Sequence, residues 1–257
     1  MCSLWITLVR AIPIAIGTFL SLSASSAAAN PTVFTFSPRT YDLQLHWKNG
    51  EDQFWTLDAV REHLESQDRC VAFLSNAGIY GEDYAPLGLH IENGEQVRGV
   101  NPAKGSGNFS WNSGVFALRD GRPEVRRHTA WPGNRGVNVA NQSGPALVIG
   151  GKRTSAGRSD AGRYSRGAIV SYRDGRAGFV HTSSRIEFRR MVDLAQAKGR
   201  VQGMLYLDGR INDWWQRGMR RPARGFPWLA GIWSVSRRGP CPDPIASPRP
   251  VPKPEQG

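Results

Sequence analysis

Short alternations of apolar and polar residues dominate this chain, and long amphipathic stretches are few. Residues 32–36 and 43–47 set apolar side chains at about every second position, the period of a half-buried strand, with a turn around Ser37, Pro38 and Arg39. Residues 54–64 change to the helical period, with Phe54, Leu57, Val60, Arg61 and Leu64 on one side. An apolar strand at 71–74 then runs straight into Asn76, Ala77 and Gly78. Further strand-like segments at 89–92, 108–118, 146–149, 168–172 and 177–181 are divided by Glu92-Asn93-Gly94, Arg119-Asp120-Gly121, Gly150-Gly151 and Arg173-Asp174-Gly175, which are hairpin signals. A second helical face follows at 188–197, then an apolar strand at 204–207 that ends at Asp208, and a last strand at 228–235. Many short strands with two or three helices predict a single α+β domain on mixed or antiparallel sheet. The strands do not alternate regularly with helices of about ten residues or more, which argues against a doubly wound parallel fold.

The chain's two ends narrow this picture. Residues 1–29 combine Arg10, an apolar run at 11–22 and the small residues 24–29 with an Ala-x-Ala pattern, as a secretory leader does. The apolar part is shorter than the roughly 20 residues of a spanning helix, so cleavage is expected, with no stable membrane insertion afterwards and a periplasmic or secreted product. The folded domain is then expected over 30–239, followed by a tail at 240–257 whose seven prolines in 18 residues predict an extended or disordered segment. Cys70 and Cys241 remain after the leader is removed, and in an oxidising compartment they are expected to pair, two separate thiols being the alternative.

The formal net charge of +12 suits an anionic partner, a phosphorylated glycan among them. Of the 33 basic residues 28 are arginine, the better side chain for bidentate phosphate contacts, although they are dispersed and a GC-rich coding bias accounts for them equally well. No nucleic-acid motif, phosphate loop, dinucleotide fingerprint or closely spaced metal-ligand set occurs, so neither a nucleic-acid partner nor a cofactor nor a metal is expected.

The candidate chemistry sits where apolar strands end beside glycine. Asp208 is a lone carboxylate at such an end, with Gly209 allowing close approach of a ligand; an ordinary Asp-Gly turn is the alternative. Asn76, in the block Asn76-Ala77-Gly78-Ile79-Tyr80, offers an amide that donates and accepts without titrating. Gln142-Ser143-Gly144-Pro145 reads as a tight loop whose amide, hydroxyl and backbone N–H groups suit sugar or phosphate oxygens. A serine nucleophile needs a partnered base, and none of the histidines at 46, 63, 90, 128 and 181 stands in a triad motif.

Asn76 to Tyr80, Pro86-Leu87-Gly88-Leu89, Gln142 to Pro145 and Tyr206-Leu207-Asp208-Gly209, in this order, resemble the phosphodiester glycosidase family over residues 73–235. The resemblance implies hydrolysis between a sugar's anomeric carbon and a phosphodiester oxygen. It implies catalytic roles for Asp208, Arg166 and Asn76, and substrate binding by Gln142, Ser143, Arg163, Gly78, Gly209 and Tyr80. A phosphate leaving group is already a weak base, so a carboxylate together with arginine and amide contacts suits the reaction. The chain departs from the family pattern at Gly167, where an Asn is expected, at Asn212, where Ser is frequent, and at His181-Thr182-Ser183-Ser184, which lacks a Glu. Glu82 and Asp83 are candidates for a second carboxylate. A non-catalytic binder of an anionic envelope polysaccharide remains the alternative, with Trp214 and Trp215 either stacking on sugar rings or packing in the core. A nuclease rests on net charge alone.

Overall fold

The computed structural model describes residues 31–102, 109, 112–219 and 228–241. The expected leader, most of the tail and the Arg220-Arg221 pair lie outside the described residues. In chain order the first elements are β1 (Thr32–Phe36), β2 (Asp42–His46), the short pair β3 (Lys48–Asn49) and β4 (Asp52–Gln53), helix α1 (Leu57–Glu65) and β5 (Arg69–Asn76). Then come β6 (His90–Glu92), β7 (Glu95–Arg98), β8 (Gly114–Arg119), β9 (Arg122–Arg127) and β10 (Val137–Ser143). The last part holds β11 (Ala146–Ile149), β12 (Lys152–Arg153), β13 (Tyr164–Tyr172), β14 (Ala177–Ile186), α2 (Phe188–Gln196), β15 (Val201–Asp208), β16 (Trp214–Gln216) and β17 (Ile232–Arg238).

Among the described residues three larger sheets result, β1-β14-β13-β15-β11-β12, β7-β6-β10-β8-β9 and β16-β5-β17-β2, beside the two-stranded β3-β4. Every described pairing is antiparallel, which settles the mixed-or-antiparallel expectation, and the domain is more β than α. The hairpin signals act where they were read. Asn93-Gly94, Asp120-Gly121 and Gly150-Gly151 each place two consecutive residues at positive φ, the twist that a two-residue hairpin loop requires.

Inner faces of the three sheets meet in one core around Phe73, Phe116, Phe179, Leu205 and Trp233. Each helix covers an outer face. Thr56 Oγ1 accepts the Ala59 N–H at 3.1 Å and starts α1, which buries Leu57, Val60 and Leu64 against Val71, Leu74 and Ile232. Helix α2 sets Met191, Val192 and Ala195 on Ala168, Val170, Met204 and Tyr206 of the largest sheet.

Strand β10 was not foreseen, and Gln142 and Ser143 are its last residues rather than part of a loop. Its sequence, Val-Asn-Val-Ala-Asn-Gln-Ser, hides the strand period because Asn141, Gln142 and Ser143 are polar yet buried. At the other end of β5, Cys70 is joined to Cys241 by a disulfide that spans 171 positions of sequence. Loop closure of that size constrains the unfolded chain strongly. Replacing both cysteines by serine is expected to lower the unfolding free energy by about 2–5 kcal/mol. Urea titration of the oxidised protein and the double variant measures it, and coincident midpoints would show that the tether is not stabilising.

Candidate active site

Strands β5, β10 and β15 end together, at Asn76, Ser143 and Asp208, and the starts of β13 and β17 lie beside them: Gly167 pairs with Asp208 and Ile232 with Asn76. Polar side chains buried at such a junction must find partners, because an unmade hydrogen bond there costs about 1–3 kcal/mol. Asn76 Oδ1 accepts the Asp213 N–H at 3.1 Å, and the Asn76 N–H donates to Asp213 O at 2.9 Å. Asn141 Oδ1 accepts from Gly78 N at 3.0 Å, and Ser143 Oγ donates to Leu207 O at 3.1 Å. Gln142 is fully engaged: Oε1 accepts from Leu89 N and Asn101 N, while Nε2 donates to Asn101 O and Ser113 Oγ. Gln142 and Ser143 therefore fasten neighbouring segments to one another at the strand ends.

The glycines of the sequence blocks have a steric reason. A Cβ at Gly78 would stand 2.6 Å from Asn141 Oδ1, and one at Gly88 would stand 2.7 Å from Gln142 Oε1. The first two blocks thus close onto the third.

Asp208 owes its position to a β-bulge. Ala168 pairs with Tyr206 and Gly167 with Asp208, so Leu207 is an extra residue that breaks the alternation and re-aims the strand's last side chain. Asp208 Oδ1 accepts three backbone N–H groups, from Gly209 at 2.5 Å, Arg210 at 2.9 Å and Ile211 at 3.2 Å. Oδ2 has no partner among the described residues. Burial pushes the carboxyl above the ordinary carboxylate range against the pull of those donors and of Arg210. Tyr80 and Tyr206 lie close enough to feel the charge: burial first, then Asp208, raises both phenols, that of Tyr206 to about 12. Gly209 packs its α-carbon over the Tyr206 hydroxyl, where a Cβ would collide.

The two expected arginines are differently used. Arg166 is buried, with Nε on Ile186 O at 2.7 Å, Nη2 on Gly162 O at 2.6 Å and its guanidinium 3.6 Å from the Phe188 ring centre. That is a fixed internal cation and not an open phosphate clamp. Arg163 is exposed and pairs with Glu187 at 3.0 Å. Arg210, which the sequence reading passed over, stands two residues after Asp208, is exposed, and acts on its charge. A basic residue two positions beyond Asp208 was the available signal.

Other expectations shift as well. Glu82 and Asp83 are exposed, and Asp83 serves its own turn, accepting from Ala85 N at 3.1 Å and pairing with Arg98 at 3.4 Å. Asp213, also missed, is a carboxyl only 4% exposed on the segment fastened to Asn76. Trp214 stacks on Phe73 and Trp215 packs with the α1 cluster, and both are half-buried. The departures at Gly167 and Asn212 are coupled. Asn212 Oδ1 occupies the space that a side chain at 167 would take, and it accepts a 2.5 Å bond from His181 Nδ1. Burial lowers His181 to about 4, so it stays neutral. Among the described residues no group of three His, Cys, Asp or Glu is placed to hold a metal.

Comparison with known proteins agrees with this architecture. The profile of the phosphodiester glycosidase family matches residues 69–211. Uncharacterized protein YigE of Escherichia coli K12 is 33% identical over 220 residues, covering 83% of this chain and 86% of that one. The zebrafish N-acetylglucosamine-1-phosphodiester α-N-acetylglucosaminidase catalytic domain, auto-inhibited by its pro-peptide, superposes with a TM-score of 0.56. It is 12% identical, over 84% of this chain and 85% of that one, a likeness of fold.

A carboxyl raised by burial loses folding free energy as pH climbs from its unfolded value, near 3.8, through its higher folded value. Asp208→Asn retains an oxygen for the three N–H donors and removes the buried charge. The variant is expected to melt at a higher temperature than the parent at pH 7, with the gain shrinking as pH falls toward 3.8. A lower melting temperature at pH 7 would refute this placement of the charge.

Proposed function

The chain belongs to the phosphodiester glycosidase family, and on that premise we propose that it hydrolyses sugar-1-phosphodiesters at the bond between the anomeric carbon and the phosphate oxygen. The observation that carries this reading is Asp208: a carboxylate at the meeting point of three sheets, one oxygen pinned by three backbone N–H groups and the other without a partner among the described residues. A carboxylate made more basic by burial is suited to take the proton of a water molecule. The water oxygen bonds to the anomeric carbon, the carbon–oxygen bond to phosphate breaks, and its electron pair leaves on a phosphate monoester. The departing group needs countercharge more than a proton, and Arg210 is the exposed cation at hand.

Asn76, Asn141, Gln142 and Ser143 act at one remove in this scheme, fixing the strand ends around Asp208. Arg166 supports the same end by holding the Tyr206 side, and Tyr80 lies near enough to the carboxylate for its charge to raise the phenol. The Cys70–Cys241 bridge supports a periplasmic or secreted setting, where such bonds persist.

Purified mature protein is expected to release free sugar from members of a panel of α- and β-sugar-1-phosphodiesters. Asp208→Asn should lower kcat by roughly 10²–10⁴-fold, and Arg210→Ala should lower kcat/KM by roughly tenfold or more. No turnover across the panel, or an Asp208→Asn enzyme as fast as the parent, would count against the assignment.

A further inference from the structure

Four aromatic rings form a surface cluster, three of which the proposed reaction does not use. Tyr80, two residues beyond the Gly78 that packs on Asn141 and Ser143 at the strand ends, stacks on Tyr84 with ring centres 5.5 Å apart. Tyr84 meets Trp55 edge-on at 5.5 Å, and Trp55 meets Trp228 edge-on at 5.3 Å. Such rings ordinarily turn inward, yet Trp228 is 52% exposed, and Trp55 and Tyr84 are only part-buried.

The backbone under this cluster is strained. Trp55 has φ of +61° and Tyr84 of +52°, a region that bulky residues avoid at a cost of about 1–3 kcal/mol each. At Trp55 the Thr56 N–H reaches back to Phe54 O at 2.7 Å, closing a γ-turn of the rare hand. The surroundings enforce both conformations. Tyr84 O accepts from Trp47 Nε1 and from Gln53 Nε2, each at 3.2 Å. Gln53 Nε2 also reaches Leu229 O at 3.0 Å, Leu229 N donates to Trp55 O at 2.8 Å, and the Tyr80 hydroxyl donates to Trp228 O at 3.1 Å. Strain held this firmly, at residues whose rings reach solvent next to an active site, fixes a binding surface in advance.

We propose that Tyr84, Trp55 and Trp228 form a subsite that stacks against a neutral sugar ring of the substrate, so that the substrate is an extended glycan and not only a sugar phosphate. The chemistry selects a neutral ring: flat aromatic faces complement the C–H face of a pyranose, and exposed Glu82 and Asp83 beside Tyr84 disfavour phosphate there. Phosphate is drawn instead toward Arg210. Tyr80 follows Gly78, which packs on Ser143, itself bonded to the carbonyl of Leu207 just before Asp208, so the cluster and the carboxylate belong to one neighbourhood. The inference rests on the glycosidase reading for its substrate, but binding tests it without turnover.

The probes are cellotetraose, maltotetraose and chitotetraose, titrated by calorimetry into the Asp208→Asn protein and into the same protein with Trp228→Ala. At least one is expected to bind saturably and to weaken by roughly tenfold on loss of the indole, with the melting temperature unchanged. In active enzyme, the preference of kcat/KM for an oligosaccharide over a monosaccharide phosphodiester should shrink with Trp228→Ala. Binding without turnover of any phosphodiester supports the subsite and overturns only the hydrolase reading. No saturable binding, or equal affinity with and without Trp228, overturns the subsite.

Discussion

Leaving a buried polar side chain unpaired is costly, and in this fold that cost joins three sheets into one site. Asn76, Asn141, Gln142 and Ser143 lie at or within a few per cent of complete burial, and each reaches across to another segment. Asn141 and Ser143 tie β10 to the loop after β5 and to the end of β15. Gln142 gathers the Leu89 and Asn101 backbones and Ser113. Losing one such partner exposes no group to water and so costs its full desolvation, on the order of 1–3 kcal/mol. The strand ends, and Asp208 with them, are consequently held in place before any ligand arrives, the condition under which electrostatic stabilisation is effective.

Much of the frame was legible because it rests on local rules. Residues 54–64 have a helical period and give α1; Asn93-Gly94 and Asp120-Gly121 give hairpins; residues 32–36 alternate and form β1. Asp208 could be singled out because an apolar run stops there. The remainder depends on distant contacts. Nothing near Gln142 reveals that its partners lie at positions 89, 101 and 113. Arg166 looked like a phosphate arginine until α2 folded Phe188 over it. The bulge at Leu207 exists only in the register between β13 and β15, and Asp213 acquires meaning only when β5 delivers Asn76 to it.

Charge follows the same division. A net charge of +12 says that anions are welcome, but placement decides which arginine meets them. Arg166 is consumed by carbonyls and rings and Arg163 by Glu187, which leaves Arg210 beside a carboxyl whose burial already makes it a stronger base. Around Tyr80 the surface is aromatic and acidic, through Glu82, Asp83 and Tyr84.

The central proposal is that the enzyme works as a glycosidase, with attack at carbon and not at phosphorus. Hydrolysis of a sugar-1-phosphodiester in oxygen-18-labelled water, followed by mass spectrometry of both products, tests it directly. Label in the released sugar, with an unlabelled phosphate monoester, is the predicted result. Label in the phosphate would mean cleavage of the phosphorus–oxygen bond and would contradict the account.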